Sequence, residues 1–284
     1  MSATTPTNRK RPARWGHYLQ NLVLYLAVVI IFGPIAWLIL TSFKPKGTAL
    51  TMPPEIFFTP TLKQYSAALD SFWGPFVNTV IMVGVSTIIS LVLGILAAFA
   101  LSFFPHPRHE NRNDKIVFWF ITTKALPYVA VLVPLFIIFR WLHLLDTAWV
   151  MIIVFVGLNT PIVVWMMYQF MKDIPRAIIE AAWVDGAQLW HLLVRIVVPM
   201  ARPGIAATAM LCVVFGWNEF LFSVSYTAID WHPLSVALAA QQTGRGQFWA
   251  QLSAFTTLAI AVPVIVGWMA QKQLVRGLAA GAVK

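Results

Sequence analysis

The 284-residue sequence predicts an all-α integral membrane protein with six transmembrane helices and a short cytoplasmic helix between helices four and five. Three observations carry that expectation. The chain is 59% hydrophobic and 11% charged, against ~45–50% and ~25% in soluble domains. Its apolar residues gather in six runs, each long enough to cross a bilayer at about 20 residues and 1.5 Å per residue. Its basic residues concentrate in the connections on one side of those runs.

The first run, 21–42, follows Arg9, Lys10, Arg11 and Arg14. It is too long for a signal peptide, holds Gly33-Pro34 and lacks a small-x-small cleavage site, so it reads as a retained span. The others cover roughly 77–103, 117–141, 147–171, 204–226 and 252–271. Residues 1–17 form an N-terminal tail, and 18–284 form one transmembrane domain. Six spans put both termini on one side. Of the 20 Lys and Arg, 14 fall on that side, five on the other, and Lys124 lies inside the third run. The positive-inside rule therefore places both termini in the cytoplasm.

Several function classes lack support. The net charge of +10 is not interleaved with aromatics on a polar stretch, so no nucleic-acid surface is expected. The lone Cys212 excludes an intrachain disulfide. His106, His109 and Glu110 match no metal-binding spacing, so no metal is expected there. No G-x-x-x-x-G-K-[ST] occurs, so this chain carries no P-loop of its own, and no pair of catalytic groups recurs at helical spacing in the spans.

The inward connection 172–203 is patterned rather than loop-like. Pro175 suits a first helical turn, and Asp185-Gly186 signals a stop, so Arg176 to Asp185 reads as a helix. Ile179, Ala182 and Trp183 share one face and Glu180 lies off it. A second amphipathic stretch carries Leu189, Leu192, Leu193 and Ile196 on its own face, until Pro199 and Pro203 prevent continuation. Taken alone, the pair could be an interfacial anchor.

The spacing points further. Glu180-Ala181-Ala182, three residues, Gly186, nine residues, Ile196, one residue, Val198 and Pro199 resembles the EAA-x3-G-x9-I-x-L-P loop of ATP-binding-cassette importer permeases. The six exact positions coincide by chance with a probability on the order of 10⁻⁷ per window. Trp217-Asn218-Glu219-Phe220, Lys124-Ala125-Leu126-Pro127 and the ending Leu274 to Lys284 resemble the shorter, six-span permease of the carbohydrate, maltose-type branch. The stretch Leu252 to Lys284, particularly Gly267-Trp268 and Gln271 to Gly277, is most similar to permeases for sugar alcohols. The resemblance implies that Glu180, Ala181, Ala182, Asp185, Gly186, Ile196 and Pro199 couple to a separate ATPase, which holds ATP and Mg, while this chain binds no cofactor and is not an enzyme. It also implies a second permease subunit making a heterodimer, two ATPase subunits, an extracytoplasmic solute-binding protein and a carbohydrate or polyol substrate. Adjacent alanines permit close approach of a partner, and Gly186 permits a bend.

Polar groups inside spans are candidates for the pathway: Asn78, Asn159, Asn218 and Glu219. Polar residues placed like Asn78 and Asn159 are more often helix-helix hydrogen-bonding groups than substrate ligands. Lys124 lies about 10 Å from the cytoplasmic end of its helix, close enough to snorkel, and Glu219 about 22 Å along the fifth. Straight helices thus leave a mismatch of roughly 12 Å between them. A rival reading makes the chain an ion-coupled secondary transporter using Glu219; it would favour inverted repeats, and none is detected.

Overall fold

The computed structural model describes residues 14–49, 51–104, 111–241 and 249–282, without the side chains of 14–17, 270 and 272–282. Most of the N-terminal tail, the His106–Glu110 loop and the side chains of the C-terminal motif therefore lie outside the described residues. The described residues are helical, with no strand among them.

Helix α1 (Arg14–Ser42) is apolar on every side, and its side chains are exposed over most of its length. That surface suits lipid, where an apolar side chain needs no protein cover. Helix α2 (Lys63–Phe103) has 41 residues, about 60 Å of rise, and so starts well before the expected span at 77. It packs along α5 (Ala148–Lys172) as the principal helix pair of the bundle. A Cβ at Gly94 would fall on the side chain of Val163, so this close approach needs a glycine.

The third run is not a straight span. Helix α3 (Arg112–Thr122) passes through a 3-10 turn, Thr123–Ala125, and after Pro127 the chain restarts as α4 (Tyr128–Trp141), bent by 86°. Pro127 has no N–H to continue the ladder and drives the preceding residue out of the helical region; Leu126 is extended, at ψ 133°.

Helix α6 (Arg176–Val184) ends at Gly186, whose φ of +77° is a left-handed conformation suited to glycine. The second amphipathic stretch runs on further than its prolines suggested. Helix α7 (Leu189–His191), a π-helical turn (Leu192–Val197) and α8 (Val198–Met200) form one stretch. Pro199 sits in the first turn after the switch in hydrogen-bond pattern, where its missing N–H costs little. The chain then bends by 78° into α9 (Arg202–Trp217).

The fifth run also breaks: α9 stops at Trp217, and α10 (Leu221–Tyr226) begins after three irregular residues. Helix α11 (Leu234–Ala240), unforeseen in an outer loop, precedes the last helix α12 (Trp249–Ala282). Four helices are long and apolar enough to cross a membrane alone, and each bent pair taken as one span brings the number to six. The second of these pairs is Leu189–Met200 with Arg202–Trp217, which begins in the expected inward connection and not in the expected fifth run.

Candidate coupling surface and transmembrane cavity

Helix α6 lies at one end of the bundle with two unlike faces. Ile179 and Ala182 are 2% and 7% exposed. They join a core made by Phe99 and Phe103 of α2, Met167, Tyr168 and Met171 of α5, and Leu192 and Leu193 of the following stretch. The outer face carries Glu180, Ala181 and Asp185, all exposed, and Val184 is 88% exposed. Leu189 and Trp190 beyond the turn are also exposed. This apolar surface lies on a short segment outside the long helices, the pattern of a surface that meets another protein.

The expected faces are partly corrected. Trp183 lies against Phe104 but stays exposed, and Ala182 turns inward, leaving Ala181 alone to admit a close partner. Leu189 faces out, whereas Leu192 and Leu193 are buried. Asp185, Gly186, His191, Arg195 and Ile196 line one hollow beside the turn. Pro199 is half-buried behind it.

The same end is tied by a polar cluster. Asp114 Oδ1 accepts from Lys172 Nζ at 2.9 Å and Tyr168 Oη at 2.8 Å, fastening the start of α3 to the end of α5. The Lys172 hydrogen bond, then that from Tyr168, holds the Asp114 carboxyl below the ordinary carboxylate range, against opposition from burial.

Between the broken helices lies a cavity of about 540 Å³ lined by Lys124, Tyr128, Asn159, Phe215, Asn218 and Glu219, among others. The two breaks create it. Lys124 does not follow the expected route to the cytoplasmic surface. Its Nζ donates to Leu158 O of α5 at 3.0 Å and lies 5.7 Å and 5.3 Å from the ring centres of Tyr128 and Phe215. Because α3 bends at this residue and α9 stops beside Glu219, both charges reach one cavity wall despite the mismatch expected of straight helices. They are not in ion-pair contact with each other, unlike Lys172 and Asp114.

Glu219 is committed locally. Its Oε1 accepts from Phe222 N at 2.8 Å, and its Oε2 from Ser223 N at 3.0 Å and Ser223 Oγ at 2.8 Å. It thus caps the first turn of α10, where free N–H groups favour an anion. Asn218 donates to Val214 O one turn back. Asn159 is buried and donates to Cys212 O at 3.5 Å, a weak bond joining α5 to α9. Asn78 is remote from this cavity and holds Asp230 O and His232 O at the other end of the bundle. The pathway set drawn from sequence therefore divides: Asn159, Asn218 and Glu219 line one space, and Asn78 does not.

Sequence reasoning passed over Asp146. Its carboxylate accepts from the four consecutive amides Ala228, Ile229, Asp230 and Trp231. Burial works to raise its pKa, but these four donors outweigh it and hold the carboxyl at about 2. Its position between a helix end and a Thr N-cap reads as ordinary loop chemistry, with no local hint of partners some 80 residues on.

Broken helices of membrane-crossing length around a largely apolar cavity that holds a few polar groups, with an exposed amphipathic helix at one end, fit a multi-pass transport subunit. The chain belongs to the family of inner-membrane components of binding-protein-dependent transport systems, whose profile matches residues 90–279. Among its relatives, the probable ABC transporter permease protein y4oR of Sinorhizobium fredii is 30% identical over 91% of this chain and 92% of its own length. The sulfoquinovosyl glycerol transport system permease SmoH of Agrobacterium fabrum is 31% identical over 95% and 94%. The trehalose transport system permease SugB of Mycobacterium tuberculosis is 28% identical over 96% and 98%. A chain in the crystal structure of a bacterial ABC transporter importing the acidic polysaccharide alginate shares the fold, with a TM-score of 0.75 over 94% of this chain and 99% of that one, at 24% identity.

Proposed function

We propose that this chain forms half of the translocation pathway of an ATP-driven, binding-protein-dependent importer for a carbohydrate, sugar alcohols included. The carrying observation is α6: an exposed face bearing Glu180, Ala181 and Asp185, fixed through Ile179 and Ala182 to the inner ends of α2 and α5. A partner gripping that face moves two long helices with it, because close-packed cores transmit displacement. The relatives that transport sulfoquinovosyl glycerol and trehalose support a sugar as cargo. The remainder of the machine is a second permease subunit, two ATPase subunits holding ATP and Mg at the cytoplasmic face, and a solute-binding protein outside. Both termini then lie in the cytoplasm.

ATP binding and the loaded binding protein each favour the outward-facing state in proportion to their differential affinity for it, and hydrolysis releases it. Within the cavity, the Lys124 ammonium and the Asn159 and Asn218 amides offer donors to sugar hydroxyls, and the rings of Tyr128 and Phe215 offer flat apolar faces. An ion-coupled mechanism through Glu219 fits less well, since both of its carboxylate oxygens are occupied by the start of α10.

Glu180→Ala tests the coupling assignment. Sugar uptake by the reconstituted complex falls at least ~10-fold, about 1.4 kcal/mol of lost coupling, while the protein stays folded and the ATPase subunits continue to hydrolyse ATP. Normal uptake by this variant would sink the assignment.

A further inference from the structure

At the end of the bundle opposite α6, residues Thr227–Pro233 form no helix or strand, yet their backbone is held from two sides. Asp146 Oδ1 accepts from Ala228 N at 3.0 Å and Trp231 N at 3.1 Å, and its Oδ2 from Ile229 N at 3.0 Å and Asp230 N at 3.1 Å. Asp146 N also donates to Tyr226 O at 2.9 Å. From the other side, Asn78 Nδ2 donates to Asp230 O at 2.8 Å and His232 O at 3.2 Å, and Leu234 N donates to Thr79 Oγ1 at 2.8 Å. One carboxylate takes the amides of the loop, and one side-chain amide takes two of its carbonyls.

The side chains left outside are Ala228, Ile229 and Asp230, with Ile229 78% exposed. A free loop loses backbone entropy at every residue that is fixed on binding. Here that ordering has already occurred, which lowers the cost of docking a partner. The loop is also continuous with α10, whose first turn is capped by Glu219 at the cavity.

We infer that Asp146 is a positioning residue that presets Thr227–Pro233 as a docking loop for the extracytoplasmic solute-binding protein. The inference rests on the importer reading, which supplies that partner and the side on which it stands. Asp146 has a left-handed backbone, φ +54°, which Asn also tolerates. Asp146→Asn therefore keeps the loop entry while losing the charge and one of the two acceptor oxygens; Asp146→Ala loses both oxygens.

The experiment uses the complete complex in nanodiscs with its co-purifying binding protein loaded with that protein's own sugar. It measures ATPase rate against binding-protein concentration and, separately, hydrogen exchange of the loop amides. In Asp146→Asn, exchange at residues 228–231 accelerates at least ~10-fold, the half-saturating concentration of binding protein rises by a similar factor, and the maximal and basal rates stay within about twofold. Asp146→Ala moves the same quantities further. Unchanged exchange overturns the clamp, and faster exchange with unchanged half-saturation overturns the positioning role. A fall in the maximal or basal rate alone assigns Asp146 to general stability and overturns the inference too. A wild-type complex that loaded binding protein does not stimulate overturns the importer reading itself.

Discussion

Replacing Glu219 separates a helix cap from an ion or proton site. The carboxylate receives three hydrogen bonds from the first turn of α10, two from the backbone and one from Ser223 Oγ, all at 2.8 to 3.0 Å. Gln keeps one carbonyl oxygen at the same reach but loses the charge and one acceptor. Loss of a helix cap costs about 0.5–2 kcal/mol, and bonds to a charged acceptor lie at the upper end. Glu219→Gln should therefore cost ~1 kcal/mol and Glu219→Ala ~2 kcal/mol. In chains of 150–250 residues each kcal/mol lowers the melting midpoint by about 2–4 °C, and the shift falls with length, so in this 284-residue chain thermal unfolding in nanodiscs should rank the three proteins Glu, Gln, Ala with steps near the lower figure. If capping is its role, uptake follows that order and Glu219→Gln retains most activity, still dependent on ATP. Full stability of Glu219→Gln with abolished uptake would refute capping as the role and return the residue to the ion-coupled reading.

Gly94→Ala places a methyl on the side chain of Val163 at the α2–α5 contact; it should destabilise by about 1–3 kcal/mol, read as folded yield by size exclusion. Gly84→Ala, which meets no atom within 4 Å, should be neutral in the same assay. Asp114 has a folded pKa below its ordinary value because of Lys172 and Tyr168. Its contribution is therefore fully present above the unfolded pKa of about 3.9 and is lost as pH falls through the lower folded value. The ion pair is half exposed, with its two side chains at 44% and 52%, so screening keeps its worth below about 1 kcal/mol. Asp114→Asn should lower the melting temperature slightly at neutral pH, by less than about 1 kcal/mol of stability, and its difference from the unsubstituted protein should close as pH falls through the folded value, which flattens the acid limb.

The bounds of α6 were legible in the sequence. Its start at Arg176 after Pro175 and its stop before Gly186 follow from local backbone chemistry, and the structure reproduces them within one residue. The inward turn of Ala182 was not legible, because it depends on Phe99, Phe103 and Met171 arriving from two other helices. Asn78 and Asp146 show the same limit. Asn78 lies within α2 and Asp146 just before α5, and their partners lie more than 80 residues away. A residue's type states which hydrogen bonds it can make, and only the fold states which it does make.

The sequence by itself determined an all-α membrane protein, the approximate runs, the handle and the family resemblance. Hydropathy, local turn chemistry and motif spacing are properties of neighbours along the chain, and they survive any tertiary arrangement. The tertiary structure alone decided that the third run bends at Lys124–Pro127 and that the fifth breaks at Asn218–Phe220. A proline such as Pro127 can kink, bend or end a helix at similar local cost, and the break at Asn218–Phe220 has no proline to mark it. Packing against α5 and α2 selects among these outcomes, and the selected bends place Lys124 and Glu219 on one cavity wall.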